Sequence, residues 1–342
     1  MLLDLPLPTR AALAALAALV ITLVAIPRLA AFARRRKFGD RDGKSDSDRL
    51  NQLHQGKRHT PIVGGLGMFA GTLPAVLGLA DLGDPSTWLL LAVLLVLGGL
   101  GLADDWQKTF GGVKTRGLTA RQKLVVQVAL GLGFGGALLW RASAGGWIDP
   151  AALTTLSVPL LGWGLPLGAV LFLGFAAFLL TGASNAVNLT DGLDGLAGGC
   201  ALVALTAYAV LGAAAGEGEV AVVLAALAGS VTGFLWWNRH PARVFMGDTG
   251  SLPLGGVLAA AALLAKQELL LALVGGVFVA EAVSVLLQVG CFKLTGKRVL
   301  RCAPLHHHFE FAGWKETAIV SRFHAAAILL ALLGLGATGL VA

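Results

Sequence analysis

Charge is what this sequence has least of. Only 13% of its 342 residues are Asp, Glu, Lys or Arg, against about 25% in an ordinary soluble domain. So few charges cannot cover the surface of a soluble body of this size. Disorder is excluded as well, because it needs low hydrophobicity and high charge, and here 56% of the residues are hydrophobic with a mean hydropathy of +0.78. Cysteine is scarce: Cys200, Cys291 and Cys302 are an odd three in a long chain, which excludes a disulfide scaffold. Acidic residues number only 19, so any concentration of them is informative. What the chain does have is apolar length and 47 glycines, and helix interfaces in lipid favour such small residues because backbones can approach closely. The expected class is an all-α integral membrane protein, one polytopic domain over residues 1–342.

A membrane span needs about 20 mostly apolar residues. Ten segments qualify: Ala11–Ala33, Ile62–Ala80, Trp88–Ala103, Leu118–Trp140, Leu165–Ser184, Leu196–Ala215, Val220–Trp237, Leu252–Ala265, Leu269–Phe292 and Ala318–Val341. The first has its basic cluster after the apolar run, the reverse of a secretory signal. Leu252–Ala265 is short, which suits a tilted helix or one buried by its neighbours. Of the 26 Lys and Arg, 22 fall in four stretches, 34–58, 104–123, 238–250 and 293–322, which are alternate loops of the ten-span reading. Arg10, Arg141 and Lys266 lie on the other side, and Arg28 within the first span. This asymmetry places the basic loops in the cytoplasm and both termini outside. It also accounts for the formal charge of +7 without a nucleic-acid partner.

Asp104, Asp105, Asp191, Asp194 and Asp248 all fall at the expected cytoplasmic ends of spans. A charge there is costly unless solvated, paired or metal-bound, so five carboxylates ringed by bases point to a divalent cation and phosphates. Solvated loop acids paired with lysines are the plainer alternative. Adjacent Asp104 and Asp105 repel each other unless a metal or lysine intervenes, and magnesium suits such a site because it takes one or two carboxylates together with substrate phosphates. Asn185, Asn188, Asp191 and Asp194 recur every three positions with Gly192 and Gly195 among them. A helix cap uses one such residue, not four. Asp248 is flanked by glycines, and nearby Phe245 is suited to stacking on a base or to an interfacial position. His306, His307 and His308 cannot all face one point on a regular helix. They suit a loop in which one or two meet substrate, although zinc is another use of three histidines. Glu281 lies inside a span, where a carboxylate is either functional or a hydrogen-bonded packing residue.

These motifs, in this order and spacing, resemble the polyprenyl-phosphate N-acetylhexosamine-1-phosphate transferase superfamily, and within it the phospho-N-acetylmuramoyl-pentapeptide transferase family. The block from Ala303 to Glu310 with Gly313 and Trp314 carries the likeness to that branch. The resemblance implies a ten-span helical fold with a cytoplasmic site in the bacterial plasma membrane, and a homodimer. It also implies a magnesium-dependent reaction between UDP-N-acetylmuramoyl-pentapeptide and undecaprenyl phosphate, giving lipid I and UMP. A related hexosamine-1-phosphate transferase is the second reading, and a transporter or flippase a distant third, since no internal repeat is visible. By the same resemblance Asp104, Asp105, Asp248 and His306 are catalytic, with the three aspartates at the metal and Asp104 the candidate base. Lys57, Lys108, Arg121, Lys123, Asn185, Asn188, Asp191, Asp194, Phe245, His307 and His308 are implied to bind substrate. The chain departs from the family in three places: Ile62 stands where a threonine is usual, His324 where a tryptophan is usual, and the loop over residues 38–51 diverges.

Overall fold

A computed structural model of the chain describes residues 2–35, 60–110, 117–145, 147–158 and 163–339. Lys57 and the divergent loop over 38–51 lie outside the described residues. Among the described residues the architecture is helical apart from one hairpin. Helix α1 spans Leu7–Arg35, α2 Gly64–Leu79, α3 Pro85–Phe110 and α4 Ala120–Ser143. A four-residue turn, α5 (Pro150–Leu153), leads into the antiparallel strands β1 (Thr155–Val158) and β2 (Trp163–Pro166). Then follow α6 (Gly168–Thr190), α7 (Leu196–Ala214), α8 (Gly218–Asn238) and α9 (Asp248–Leu264). The chain closes with α10 (Leu270–Val274), α11 (Gly276–Thr295), α12 (Leu305–Phe311) and α13 (Glu316–Ala337).

Eight of these helices are long and apolar enough to cross a membrane, and α2 and α9 are shorter apolar helices. Each of the ten expected spans meets a helix, with four instructive differences. Helix α3 runs on to Phe110, so Asp104, Asp105 and Lys108 are helical rather than in a loop. Helix α6 runs on to Thr190 and carries Asn185 and Asn188. Its expected start, Leu165, belongs to β2, a hairpin that apolar periodicity did not distinguish from a span. The Leu269–Phe292 segment is broken at Gly275 into α10 and α11.

Helix α9 is the hub. All of its residues from Asp248 to Leu264 are buried, and it packs against α2, α3, α6 and α7. Its shortness follows from that position: it is enclosed by protein and need not match the bilayer with its own surface. Packing this tight needs glycines at the crossings. A Cβ on Gly255 would overlap the Ala183 carbonyl of α6, and one on Gly229 of α8 would overlap the Ala15 carbonyl of α1.

The end of the bundle opposite the aspartates is tied by its own polar network. Arg10 pairs with Glu219, and Glu219 accepts the Asp81 N–H at 2.7 Å. Arg141 donates to Ser86 at 2.7 Å, while Glu217 accepts from Ser86 at 2.9 Å and from the Trp147 indole N–H. These bonds fix the ends of α1, α3, α4 and α8. The N-terminus of α1 lies at this end with Arg10, and so does the C-terminus of α13, whose first residue, Glu316, accepts the Asp194 N–H at the other end.

Candidate active site

Three helices deliver three carboxylates and two lysines to one point. Helix α3 brings Asp104 and Asp105 on one turn and Lys108 on the next, α4 brings Lys123 in its first turn, and α9 begins at Asp248. Gly101 lets α3 touch the start of α9, since a Cβ there would overlap the Asp248 carbonyl.

Asp104 and Asp248 are bridged by both ammonium groups. Lys123 Nζ lies 2.9 Å from Asp104 Oδ2 and 2.6 Å from Asp248 Oδ2. Lys108 Nζ lies 2.5 Å and 3.3 Å from the same two oxygens. The other oxygens are also used: Asp104 Oδ1 accepts the Leu118 N–H at 2.7 Å, and Asp248 Oδ1 accepts from Asn188 at 2.9 Å. Asp105 does something different. Its carboxylate accepts from Asp248 N at 3.2 Å, Thr249 N at 2.9 Å and Thr249 Oγ1 at 2.7 Å. The residue before α9, Gly247, supplies no side-chain cap, so Asp105 caps that helix from across the interface, satisfying amides that no intrahelical carbonyl reaches. Gly247 has φ +72°, and a Cβ there would stand 2.5 Å from Asp105 Oδ2. The turn therefore needs glycine on two counts.

Fully ionised, this cluster carries three negative charges against two positive. Ligand oxygens of Asp104, Asp105 and Asp248 all lie within 4.8 Å of one another. An all-carboxylate donor set fits a hard cation such as magnesium, which keeps room for waters and phosphate oxygens.

The remaining aspartates form a second arrangement on the turn after α6. Asp194 Oδ2 accepts the Ala242 N–H at 3.0 Å and lies 3.0 Å from His240 Nδ1, while Glu316 Oε1 accepts the Asp194 N–H at 2.7 Å. Gly195 N donates to Asn238 Oδ1 at 2.9 Å, and Asn238 in turn donates to the Val244 carbonyl at 2.9 Å. The turn carrying Asp191 and Asp194 is thus clamped to the segment that presents Phe245. Phe245 is half-buried and its backbone pairs with Pro61 and Gly64. Asn185 points away from the carboxylates and donates to Gln127 of α4 at 2.9 Å. Consecutive members of the three-residue repeat therefore serve different neighbours, because an α-helix rotates them apart.

His306, His307 and His308 open the short helix α12 rather than a loop. Their ring nitrogens face different groups, although the His306 and His307 rings touch with centroids 4.1 Å apart. His306 is fully buried against Glu281, His307 Nδ1 lies 2.6 Å from Glu310 Oε2, and His308 Nδ1 accepts the Arg301 N–H at 3.1 Å. Among the described residues no metal-binding group combines the three, so the zinc alternative has no geometric support. Arg121 is exposed on the first turn of α4. The family departures are accommodated: Ile62 packs beside Gly247, and His324 lies over Gly199 with Nε2 3.1 Å from the Gly195 carbonyl. Sequence reasoning assigned no role to Thr249, Ser251, Asn238, His240 or Glu316. Their signal was their place inside or beside the aspartate motifs, where a hydroxyl, amide or acid had a carboxylate or backbone turn to hold.

The description Glycosyl transferase family 4 fits residues 87–266 of this chain, a stretch that spans α3 to α9. The phospho-N-acetylmuramoyl-pentapeptide-transferase of Geobacillus kaustophilus is 45% identical over 340 residues, covering 96% of this chain and 98% of that protein. The protein of the same name from Solidesulfovibrio magneticus is 43% identical over 342 residues, covering 95% of this chain and 92% of its own. That of Moorella thermoacetica is 45% identical over 322 residues, covering 93% and 95%. With a buried aspartate–lysine centre built from these helices and this likeness along nearly its whole length, the chain belongs to the phospho-N-acetylmuramoyl-pentapeptide transferase family, as a multi-pass membrane protein.

Proposed function

We propose that the chain joins phospho-N-acetylmuramoyl-pentapeptide, taken from its UDP carrier, to undecaprenyl phosphate at the cytoplasmic face of the bacterial plasma membrane, with magnesium, giving lipid I and UMP. The observation that carries the magnesium and the site is the cluster in which Asp104 and Asp248 share Lys108 and Lys123. Both reactants are anions. An oxygen of the lipid phosphate bonds to the sugar-bearing phosphorus, and the bond from that phosphorus to the oxygen leaving with UMP breaks. Repulsion between the reactants must be screened and the charge gathering on UMP stabilised, which is electrostatic positioning more than covalent chemistry. Lys108 and Lys123 supply two cationic donors for this. Asp248 and Asp104 are the residues that would hold magnesium, and the ion adds Lewis-acid screening when bound.

The geometry bears on the role of Asp104. Its two oxygens already receive two ammonium groups and a backbone N–H. These contacts suit a carboxylate that holds the two ammonium groups in place, and a lipid phosphate near neutral pH is already largely ionised. Asp104 therefore orients the lysines and the lipid phosphate, and direct attack needs no proton removal by the protein. Asp105 sets the position of Asp248 by capping α9. The Asp191–Asp194 turn and Phe245, clamped together through Asn238, receive the nucleotide.

Release of UMP from UDP-N-acetylmuramoyl-pentapeptide tests the reading. Purified protein with undecaprenyl phosphate should release UMP with magnesium and stop with EDTA. Asp248→Asn, which keeps shape but removes the charge, should lower the rate by about a hundredfold or more with the fold intact. UMP release from UDP-N-acetylglucosamine alone would assign the chain to the hexosamine branch instead. Full activity of Asp248→Asn would remove that residue from the metal site.

A further inference from the structure

Glu281 has no part in the carboxylate–lysine centre, yet it and His306 are both fully buried. Glu281 is in the second turn of α11, just past the break at Gly275, and its carboxylate accepts the His306 backbone N–H at 3.1 and 3.4 Å. The same carboxylate lies 3.2 Å from His306 Nδ1. One acid from a different helix thus holds the backbone of the first histidine and stands beside its ring, with Nδ1 in close contact but making no hydrogen bond. With Nδ1 on the Glu281 side, the opposite edge of the ring packs against Gly192. A Cβ on Gly192 would overlap His306 Nε2, Cε1 and Cδ2. Both His306 ring nitrogens are buried and make no hydrogen bond among the described residues. Gly192 follows Asp191 in the turn closed by the Asp191 and Gly192 amides on the Asn188 and Thr190 carbonyls.

We propose that Glu281 is a positioning residue: through His306 it sets the Asp191–Gly192 turn against which the nucleotide-linked substrate binds. The chain of contact is Glu281 carboxylate, His306 ring, Gly192 backbone. An intramembrane carboxylate paired with a buried imidazole resists loss of either partner, because the remaining polar group is left without a match in a dry place. The lipid substrate has no part in this chain of contacts. Its binding is therefore the internal control.

The inference rests on the nucleotide occupying that turn, and the experiment separates the two. UMP binding is measured by calorimetry, and KM is measured for each substrate, on the full-length protein in detergent. Glu281→Gln keeps the volume and one acceptor but leaves a buried donor unmatched. It should weaken UMP binding and raise the nucleotide-substrate KM by about tenfold, with the undecaprenyl phosphate KM within about twofold of wild type. The double variant Glu281→Gln with His306→Asn should be no worse than His306→Asn alone, as expected when two residues act through one interaction. Unchanged UMP binding in Glu281→Gln, an equal rise in both KM values, or multiplying losses in the double variant would overturn the inference. If wild type itself fails to bind UMP, the nucleotide reading falls with it. If wild type binds UMP and releases it on turnover while Glu281→Gln matches it, the inference alone falls.

Discussion

Asp104 and Asp105 are neighbours in sequence and opposites in use. Successive residues on a helix point about 100° apart, so one carboxylate meets the lysines and the other meets the start of α9. Asp105 accepts three hydrogen bonds from Asp248 and Thr249. Removing an N-cap acceptor costs about 0.5–2 kcal/mol. Asp105→Ala should therefore lower the melting temperature in detergent and reduce activity together, because Asp248 loses its fixed position. Asp105→Asn keeps one acceptor oxygen and should recover most of the melting temperature. A variant Asp105→Ala that melts like wild type would show that α9 is held elsewhere. The pair was legible as a site feature in sequence, but not this division of labour. It depends on which partner each side chain faces, and that is set by the crossing of α3 and α9.

At the scale of elements, the start of α4 decides where Lys123 sits. Thr119 accepts the Gln122 N–H at 3.3 Å, and the Gln122 side chain accepts the Thr119 N–H at 2.9 Å, a reciprocal capping box. Lys123 is the next residue. Thr119→Ala should cost about 1 kcal/mol of helix-end stability and fray the turn that aims Lys123 between Asp104 and Asp248. The expected reading is a few-fold rise in KM with little change in melting temperature, because the rest of α4 remains packed on α6. An unchanged KM would mean that the two aspartates alone hold the lysine. The helices themselves were legible because apolar runs of about 20 residues have few other uses. Their ends were not: α3 and α6 continue past their apolar stretches and carry the site's polar residues on regular helix. Apolarity marks where a helix meets lipid or protein, whereas hydrogen bonding decides where it stops. The break at Gly275 escaped notice for the same reason, since both α10 and α11 are apolar.

On the scale of the whole molecule, the two ends of the bundle differ in what their charges do. At the end away from the aspartates the bases are committed to partners: Arg10 to Glu219, Arg141 to Ser86 and Asp84, and Lys266 to Glu268 at 2.6 Å. The site end gathers Arg34, Arg35, Arg121, Arg239, Arg243, Lys293, Lys297, Arg298, Arg301 and Lys315 beyond those bonded to the aspartates. Orientation follows the Lys and Arg count of short loops and not net charge, and the same bases attract an anionic nucleotide. Topology and substrate capture thus ask for the same placement, and the prediction is a cytoplasmic site with both termini outside. Cysteine labelling checks it. With Cys200, Cys291 and Cys302 replaced, single cysteines are introduced as Ala215→Cys in the exposed α7–α8 turn and Lys297→Cys in the exposed stretch after α11. A membrane-impermeant maleimide added to intact spheroplasts should label the first and not the second, and lysis should make both reactive. Labelling of Lys297→Cys from outside would invert the orientation, and would leave the basic rim on the wrong side to meet a cytoplasmic nucleotide.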